Sequence, residues 1–153
     1  MALPHKQNKN QAGFTIVELL IVVIVIGILA GLIITTFTDF KQKDRNKERQ
    51  KDVKTLQVGI EGYYAQNGKY PTLKDLNDSA WRTKNIKALE QDDLKDPKSS
   101  SDKLVTAPAA NVYSYEVKAD DNSDCDNSTK DCAKYTLTAT YEGGETFVKN
   151  NLN

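Results

Sequence analysis

Residues 14–37 read FTIVELLIVVIVIGILAGLIITTF, and this apolar stretch decides how the chain is organised. From Leu19 to Ile34 no side chain is charged or strongly polar. A helix over these 24 positions is roughly 36 Å long, which is enough to cross a bilayer core of about 30 Å. Because no other segment is apolar enough to bury such a helix in a core, the sequence predicts a transmembrane segment over residues 14–37.

A secretory signal peptide is the main alternative for an apolar stretch so close to the start of the sequence. Signal peptides carry an apolar run of about 7–15 residues, which is followed by a small-residue cleavage site. Here the run is longer and leads into Thr35 and Thr36, whereas the small residue Gly13 precedes it. This order favours a membrane segment over a signal peptide.

The charges that flank the segment predict its orientation. His5, Lys6 and Lys9 precede it without any acidic residue, while the far side begins with Asp39 and mixes both signs. The positive-inside rule therefore predicts a single-pass membrane protein with a cytoplasmic N-terminus and with residues 38–153 outside. The presence of two cysteines supports this direction, because disulfides persist in oxidising compartments.

Composition argues against several classes of function. The 21 basic residues are balanced by 21 acidic ones, so a strongly basic nucleic-acid-binding protein is not indicated. The single histidine, His5, precedes the apolar stretch, so residues 14–153 contain no Ser–His or Cys–His pair and no histidine metal ligand. We therefore expect a protein that is not an enzyme.

Glu18 is an ionisable residue within the apolar stretch, four positions after Phe14. Charged side chains in membrane segments are costly and usually have a function. A passive explanation also exists, because a helix N-terminus favours carboxylates and an interfacial side chain can reach water. That explanation accounts for the tolerance of Glu18 but not for the residues that precede it.

The stretch GFTIVELL at residues 13–20, with a short basic leader before it and an apolar run after it, closely resembles the processing signature of type IV prepilins. In that family a dedicated inner-membrane peptidase cuts after the glycine and methylates the new N-terminal amine. The resemblance therefore implies a leader peptide over residues 1–13, cleavage between Gly13 and Phe14, and N-methylation of Phe14.

The same resemblance implies a role for Glu18 in subunit assembly. A lone carboxylate in an apolar filament core is costly unless it is paired. Cleavage after Gly13 creates a cationic amine on Phe14, which could neutralise Glu18 of a neighbouring subunit and fix the axial register between helices. The passive interfacial glutamate remains the alternative.

The sequence departs from the family pattern in one respect. Many members carry a proline late in the apolar segment, but here none occurs between Pro4 and Pro71. Gly27 and Gly31 instead form a GxxxG pair, which predicts local flexibility or close helix packing.

The helix is predicted to continue outside the membrane over residues 38–66. The stretch contains no proline, and Val53, Leu56 and Ile60 recur at helical spacing. Its basic residues alternate along the chain, so we expect them to lie on a solvated or intersubunit face: Lys41, Lys43, Arg45, Lys47, Arg49 and Lys51. Gly68 predicts the end of this helix, because glycine readily adopts the left-handed conformation of a helix C-cap.

Residues 67–153 are predicted to form a globular α+β head. Short helices are expected within residues 73–94, and strands are expected at residues 112–118, 134–142 and 145–149. Gly143-Gly144 predicts a two-residue hairpin turn between the last two strands. The run at residues 63–71 also resembles pilins and the pseudopilins of type II secretion. Together these features predict a type IV pilin-like α+β fold, in which a long N-terminal helix packs on a small antiparallel sheet.

Cys125 and Cys132 lie in a loop between two predicted strands. Two thiolates without a histidine make a poor metal site, so the sequence predicts a disulfide worth about 2–3 kcal/mol. The loop also offers carboxylates for calcium, which related pseudopilins bind in a C-terminal loop, although the spacing matches no EF-hand. We therefore expect no cofactor, with calcium as an open alternative whose candidate ligands are Asp120, Asp121, Asp124, Asp126 and Asp131.

The resemblance implies a structural subunit of a type IV pilus-like surface filament, serving adhesion, twitching motility or DNA uptake. The expected partners are copies of the chain itself, a prepilin peptidase, an assembly platform protein with its ATPase, and the membrane before assembly. A pseudopilin of a type II secretion or competence system uses the same N-terminal machinery and remains open. A single-pass membrane-anchored binding module, in which Gly13 stays uncut, is the alternative of another class.

Overall fold

The computed structural model of the chain describes residues 13–153, and within its first helix the side chains of residues 33–37 lie outside the described set. The predicted leader peptide, residues 1–13, therefore lies outside the described residues except for Gly13. The chain divides into two compact units, of which the first extends to Phe40 and the second is Lys41–Asn153.

The order of the elements agrees with the α+β prediction. In chain order they are α1 (Ile16–Asn67), α2 (Leu73–Asn77), α3 (Ser79–Asn85), a 3-10 turn (Asp92–Leu94), β1 (Tyr113–Lys118), β2 (Lys134–Thr140) and β3 (Thr146–Asn150). Helix α1 contributes residues to both units. In the part of the chain that the structure describes, none of the helices combines the length and apolarity needed to cross a membrane.

The second unit, which we call the head, is built on a three-stranded antiparallel sheet in the order β1-β2-β3. Apolar and threonine side chains alternate along β2, so one face of the sheet lies in the core. The second part of α1 covers that face and completes a single cluster of buried side chains. Its members include Val53, Leu56, Ile60, Tyr70, Tyr113, Tyr115 and Leu137.

Local signals determine where the helices of the head end and begin. The α1 helix ends at Gly68, which has a φ of 70° and donates its backbone N–H to the Tyr64 carbonyl at 2.7 Å. Thr72 caps α2 through a reciprocal pair of hydrogen bonds with Asp75. Asp78 caps α3 by accepting hydrogen bonds from the first backbone N–H groups of that helix.

The hairpin between β2 and β3 differs from the prediction. Thr140 pairs with Thr146, and the Tyr141 N–H donates to the Glu145 carbonyl at 2.7 Å. Three residues, 142–144, therefore form the loop, whereas Gly143-Gly144 predicts two. The extra residue is Glu142, whose carboxylate binds arginines of α1, so a tertiary contact overrides the local turn signal.

The prediction of a solvated basic face on α1 is wrong for Arg49. Its side chain is fully buried, and Arg45 is half-buried beside it. Both guanidinium groups turn towards acidic side chains of the head, so in this region α1 presents a packed surface and not only a solvated one.

Candidate functional site

The first described residues form the start of α1. Thr15 precedes the helix, and its hydroxyl accepts a hydrogen bond from the Glu18 N–H at 3.1 Å, while its carbonyl accepts from the Leu19 N–H at 3.1 Å. This is the geometry of an N-cap, which satisfies one of the free N–H groups of the first turn. Phe14, the predicted methylation site, lies just outside the helix with 79% of its surface exposed.

Glu18 lies in the first turn of α1, as its sequence position predicts. Its side chain is exposed, and no basic group in the described part of the chain pairs with its carboxylate. Among the described residues of this unit, only the positive end of the helix dipole stabilises the negative charge of the Glu18 carboxylate. The carboxylate is therefore available to a group on another molecule.

Large apolar side chains surround Glu18 and continue along the helix to Leu32. Their exposed fractions range from 46% at Val22 to 86% at Ile16. Soluble monomers rarely leave so large a continuous apolar surface in water. This segment, which comprises residues 14–32 and which we call the stem, is thus suited to being covered by lipid or by other protein.

Gly27 and Gly31 lie on the stem in open space. A Cβ atom placed on either glycine would have no heavy atom within 4 Å beyond the local helix. Nothing in the described fold of one chain therefore requires glycine at these two positions. They form a small-residue strip that a second helix could approach closely.

A cluster of charged side chains lies in the head, and the sequence analysis did not predict it. Arg49 binds Asp96 through two hydrogen bonds, Nε to Oδ2 at 2.6 Å and Nη2 to Oδ1 at 2.9 Å. Arg45 binds Glu142 in the same paired manner, at 2.5 and 2.7 Å. Arg49 Nη1 also donates to Glu142 at 3.2 Å, which joins the two pairs into one head cluster.

The electrostatics of the head cluster are those of satisfied ion pairs. The Arg45 guanidinium, helped by Arg49 and Lys98, lowers the pKa of Glu142 from its ordinary value to about 2. Burial opposes the charge on Arg49, but the hydrogen bonds that Arg49 donates to Asp96 and Glu142, together with the charges of these carboxylates, outweigh it, and the pKa of Arg49 is raised. Both carboxylates therefore fasten loops of the head onto α1.

The cysteine prediction is confirmed, because Cys125 and Cys132 form a disulfide. Asn127 holds the loop from inside, donating from Nδ2 to the Tyr70 carbonyl at 2.7 Å and accepting from the Cys132 N–H at 2.9 Å. Its φ of 61° lies in the left-handed region, where asparagine is tolerated better than most residues. The loop is therefore attached to the residues that follow α1.

The aspartates considered as calcium ligands have protein partners. Lysine ammonium groups lie 2.6–3.2 Å from four of them, in the pairs Lys134–Asp120, Lys130–Asp121, Lys118–Asp124 and Lys69–Asp131. Asp126 accepts hydrogen bonds from the backbone N–H groups of Thr129 and Ser128, which hold its pKa at about 2. Within the described residues, no group of three or more His, Cys, Asp or Glu side chains is placed to hold a metal ion.

Two features of this arrangement were missed by the sequence reasoning, for different reasons. The Thr15 cap was readable, because threonine followed three residues later by Glu18 is a known sign of a helix start. The head cluster had no such signal, because Arg49 and Asp96 are 47 positions apart and an arginine in a charged stretch usually faces water.

Comparison with known proteins covers the N-terminal part of the chain. The family described as the prokaryotic N-terminal methylation motif matches residues 8–34. The type II secretion system core protein G of Aeromonas hydrophila is 32% identical over 68 residues, which are 44% of this chain and 48% of that protein. The same core protein of Escherichia coli (strain K12) is 32% identical over 67 residues, 44% of this chain and 46% of that protein.

A pilin is among the relatives as well. The type IV major pilin protein PilA of Myxococcus xanthus (strain DK1622) is 33% identical over 63 residues, 41% of this chain and 29% of that protein. The chain thus spans less than half the length of these curated relatives, and no solved structure matches it significantly. With the methylation motif at its start and a long helix packed on a three-stranded sheet, the chain resembles type IV pilins and pseudopilins.

Proposed function

We propose that this chain is a structural subunit of a type IV pilus-like filament and that it assembles through the stem. The observation that carries the proposal is the exposed apolar surface of residues 14–32, which lies within the methylation motif and contains one carboxylate that no basic group of the described residues pairs with. A surface of this kind suits a subunit that exchanges lipid for the stems of its neighbours. Such an exchange is close to neutral in free energy, because lipid tails and leucine side chains are similarly apolar.

Processing comes first in the proposed sequence of events. A prepilin peptidase cuts between Gly13 and Phe14 and the new amine of Phe14 is methylated, which converts a neutral peptide group into a cation at the end of the stem. Phe14 is 79% exposed and lies outside the helix, so the bond before it is accessible to an enzyme. The precursor is proposed to wait in the inner membrane with its N-terminus inside, held by residues 14–37.

Pairing of charges then directs assembly. The Phe14 amine of one subunit is proposed to neutralise the Glu18 carboxylate of its neighbour. Burying either charge alone in an apolar filament core would cost several kcal/mol, so stems that bring the two together are strongly favoured over stems in other registers. Gly27 and Gly31 are proposed to let neighbouring stems approach closely. An assembly ATPase and a platform protein in the membrane would supply the work of extraction.

A pseudopilin role is the second candidate, and a specific observation favours it. Relatives named as type II secretion system core protein G match over about as many residues as the pilin relative, at similar identity. Both kinds of subunit share the proposed assembly chemistry. Electron microscopy of cells separates the two roles, because a pilus is a long surface fibre and a pseudopilus is short.

We propose further that the subunit acts without catalysis and without a bound metal. Carboxylates of the head are engaged by arginines, lysines or backbone N–H groups, which leaves them poorly suited to proton transfer. Calorimetry tests the metal proposal directly. Titration of calcium into the purified chain should produce no heat of binding, and a saturable heat would favour the calcium alternative.

Glu18→Ala tests the central proposal. The variant should insert into membranes and be cut and methylated like the wild type, but it should form no filaments that can be sheared from cells and sedimented. Glu18→Asp, which keeps the charge on a shorter side chain, should recover part of the yield. Mass spectrometry of the native N-terminus provides the second measurement. An intact leader on a protein that is always monomeric would support the anchored binding module instead.

A further inference from the structure

A groove lined by lysines runs along the part of α1 that belongs to the head. It consists of two adjoining cavities of about 440 and 390 Å³, which share Val58 and Ala88 in their walls. The lysines of this groove, which we call the lysine groove, are Lys47, Lys51, Lys54, Lys84 and Lys87. Among the described residues that line the two cavities, none is acidic.

The groove exists because the chain after α3 comes unusually close to α1. A Cβ atom on Gly59 would lie 2.8 Å from Leu89 Cγ and 3.0 Å from Ile86 Cγ2, so glycine is required at this contact. The close approach places Ala88 beside Val58, whose side chain is 70% exposed between the lysines. An apolar centre within a charged rim is typical of a protein–protein interface.

The charges of the groove are weakly compensated within the chain. Lys47 lies 4.0 Å from Asp44, at the limit of an ion pair, and Lys54 lies over the Phe147 ring at 5.9 Å from its centroid. Among the described residues, no ion pair involves the remaining three lysines of the groove. The groove therefore attracts an acidic surface from another molecule.

The same chain carries a matching acidic segment. The disulfide loop and its flanks at residues 119–131, which we call the aspartate loop, contain five aspartates and one basic residue, Lys130. The side chains of Asp120 and Asp124 are 90% and 96% exposed. Their pairs with lysines lie in water and contribute little to stability, so these aspartates can exchange partners at little cost.

We propose that the lysine groove of one subunit receives the aspartate loop of the next subunit. This inference rests on the proposed filament function and adds a second contact, between heads, to the contact between stems. The loop is tied to the end of α1, through Asn127 to Tyr70 and through Lys69 to Asp131. The groove centres near residue 54, so the two surfaces are offset along α1 by roughly 20–25 Å at about 1.5 Å per residue.

That offset determines the kind of assembly. Two different patches on one chain make a head-to-tail contact, which produces an open helical filament when the rotation does not close a ring. A patch that binds itself would give a closed dimer. Like the proposed stem contact, the head contact therefore joins different surfaces of successive copies and does not close a dimer.

Charge reversal in the full chain, expressed in its own cells, tests the inference. Lys51→Glu with Lys84→Glu should reduce sheared filament yield at least tenfold, and Asp120→Lys with Asp124→Lys should do the same. A chain with all four substitutions has both surfaces reversed, and its yield should return to within threefold of the wild type. Lys74→Glu with Lys95→Glu, which makes the same change of charge outside the groove, is the matched control and should assemble normally.

A second measurement does not depend on the variants. A carbodiimide joins lysines to carboxylates in direct contact, so in native filaments made from mixed light and heavy isotope-labelled subunits it should link groove lysines to loop aspartates of different copies. Three outcomes would each overturn the inference. Either reversed pair could give a normal yield, or native filaments could lack these links. The four-fold variant could also fail to recover its yield while Trp81 fluorescence reports a folded head.

These experiments also distinguish the head contact from the proposed filament function and from DNA binding. If the native chain forms no filaments at all, the proposed function fails and the head contact fails with it. If native and groove-reversed chains both form filaments, only the head contact fails. If the reversed groove assembles normally but loses retention of a double-stranded DNA probe, the groove is a nucleic-acid surface, and the inference is wrong.

Discussion

Arg49 and Asp96 form a two-point ion pair in the interior of the head, with donor–acceptor distances of 2.6 and 2.9 Å and with side chains that are 0% and 1% exposed. The pair joins α1 to the loop that follows the 3-10 turn. Both groups have lost their water, so the contact is favourable only while each charge has the other. The position of this loop in the head therefore depends on a side chain of α1.

Arg49→Met should destabilise the head by about 3–5 kcal/mol, because it leaves the Asp96 carboxylate buried without its main partner. The single tryptophan, Trp81, lies in the head at 5.1 Å from the Tyr63 ring, so its fluorescence follows head unfolding in the full chain. Denaturant titration followed by this signal gives the change in the free energy of unfolding.

The matched control removes both charges. Arg49→Met combined with Asp96→Leu leaves no unpaired acid at the pair and should recover at least half of the lost stability. A double variant as unstable as the sum of the two single variants would show that the pair is not coupled in the way its geometry indicates.

Gly59→Ala should destabilise the head by about 1–3 kcal/mol, because the added methyl group would overlap Leu89 and Ile86 and force the chain after α3 away from the helix. Gly62→Ala is the control on the same helix, where an added Cβ meets no atom within 4 Å. It should stabilise the chain by about 0.5–1 kcal/mol through helix propensity. Denaturant midpoints that move in the same direction for both variants would contradict the packing argument.

The sequence predicted most of this fold because most of its signals are local. The apolar run of the stem, the alternation along β2 and the glycine at position 68 each act on residues a few positions away. The methylation motif is also contiguous, so residues 13–18 stand out in the sequence by themselves. These features depend on period and spacing, which a single sequence displays directly.

The parts that were not predicted depend on contacts between distant positions. Arg49 and Lys47 look alike in a charged stretch, yet one is fully buried and the other is exposed. Arg49 is buried because it pairs with Asp96, 47 positions later, and the helical periodicity of the sequence gives no sign of that contact. The hairpin loop gains its third residue for the same reason, because Glu142 is drawn to Arg45 across 97 positions.

Removal of the disulfide should destabilise the head by about 2–3 kcal/mol. The reason is that the bridge closes an eight-residue loop and so reduces the conformational entropy of the unfolded chain. Cys125→Ser with Cys132→Ser should shift the Trp81 unfolding midpoint accordingly. Reduction of the wild-type chain by dithiothreitol should reproduce the shift and should leave the double variant unchanged. A reductant effect on the double variant would indicate that another process is being measured.

Asp52 makes the stability of the head depend on pH between about 4 and 6. Burial raises the pKa of Asp52 from an ordinary value of 3.8 to about 6, while the hydrogen bond from the Tyr113 hydroxyl at 2.8 Å partly opposes the rise. The folded state thus holds a proton more tightly than the unfolded state does. The contribution of Asp52 to stability is fully present below its unfolded pKa and is lost, by up to about 3 kcal/mol, as the pH rises through 6.

Asp52→Asn removes this dependence and provides the test. The free energy of unfolding of the variant, measured by denaturant titration at pH 4, 5, 6 and 7, should lack the decline that the wild type shows between pH 4 and 6. Glu142 has the opposite effect at lower pH, because its folded pKa is depressed to about 2 and its contribution to stability is lost as the pH falls below 4.5. The stability of the wild type should therefore fall both at acidic pH, through Glu142, and towards pH 6, through Asp52. Its maximum should lie near pH 4–5 and should move to higher pH in Asp52→Asn. A wild type whose stability rises steadily from pH 4 to 7 would show that the Asp52 carboxylate is ionised in the folded head throughout.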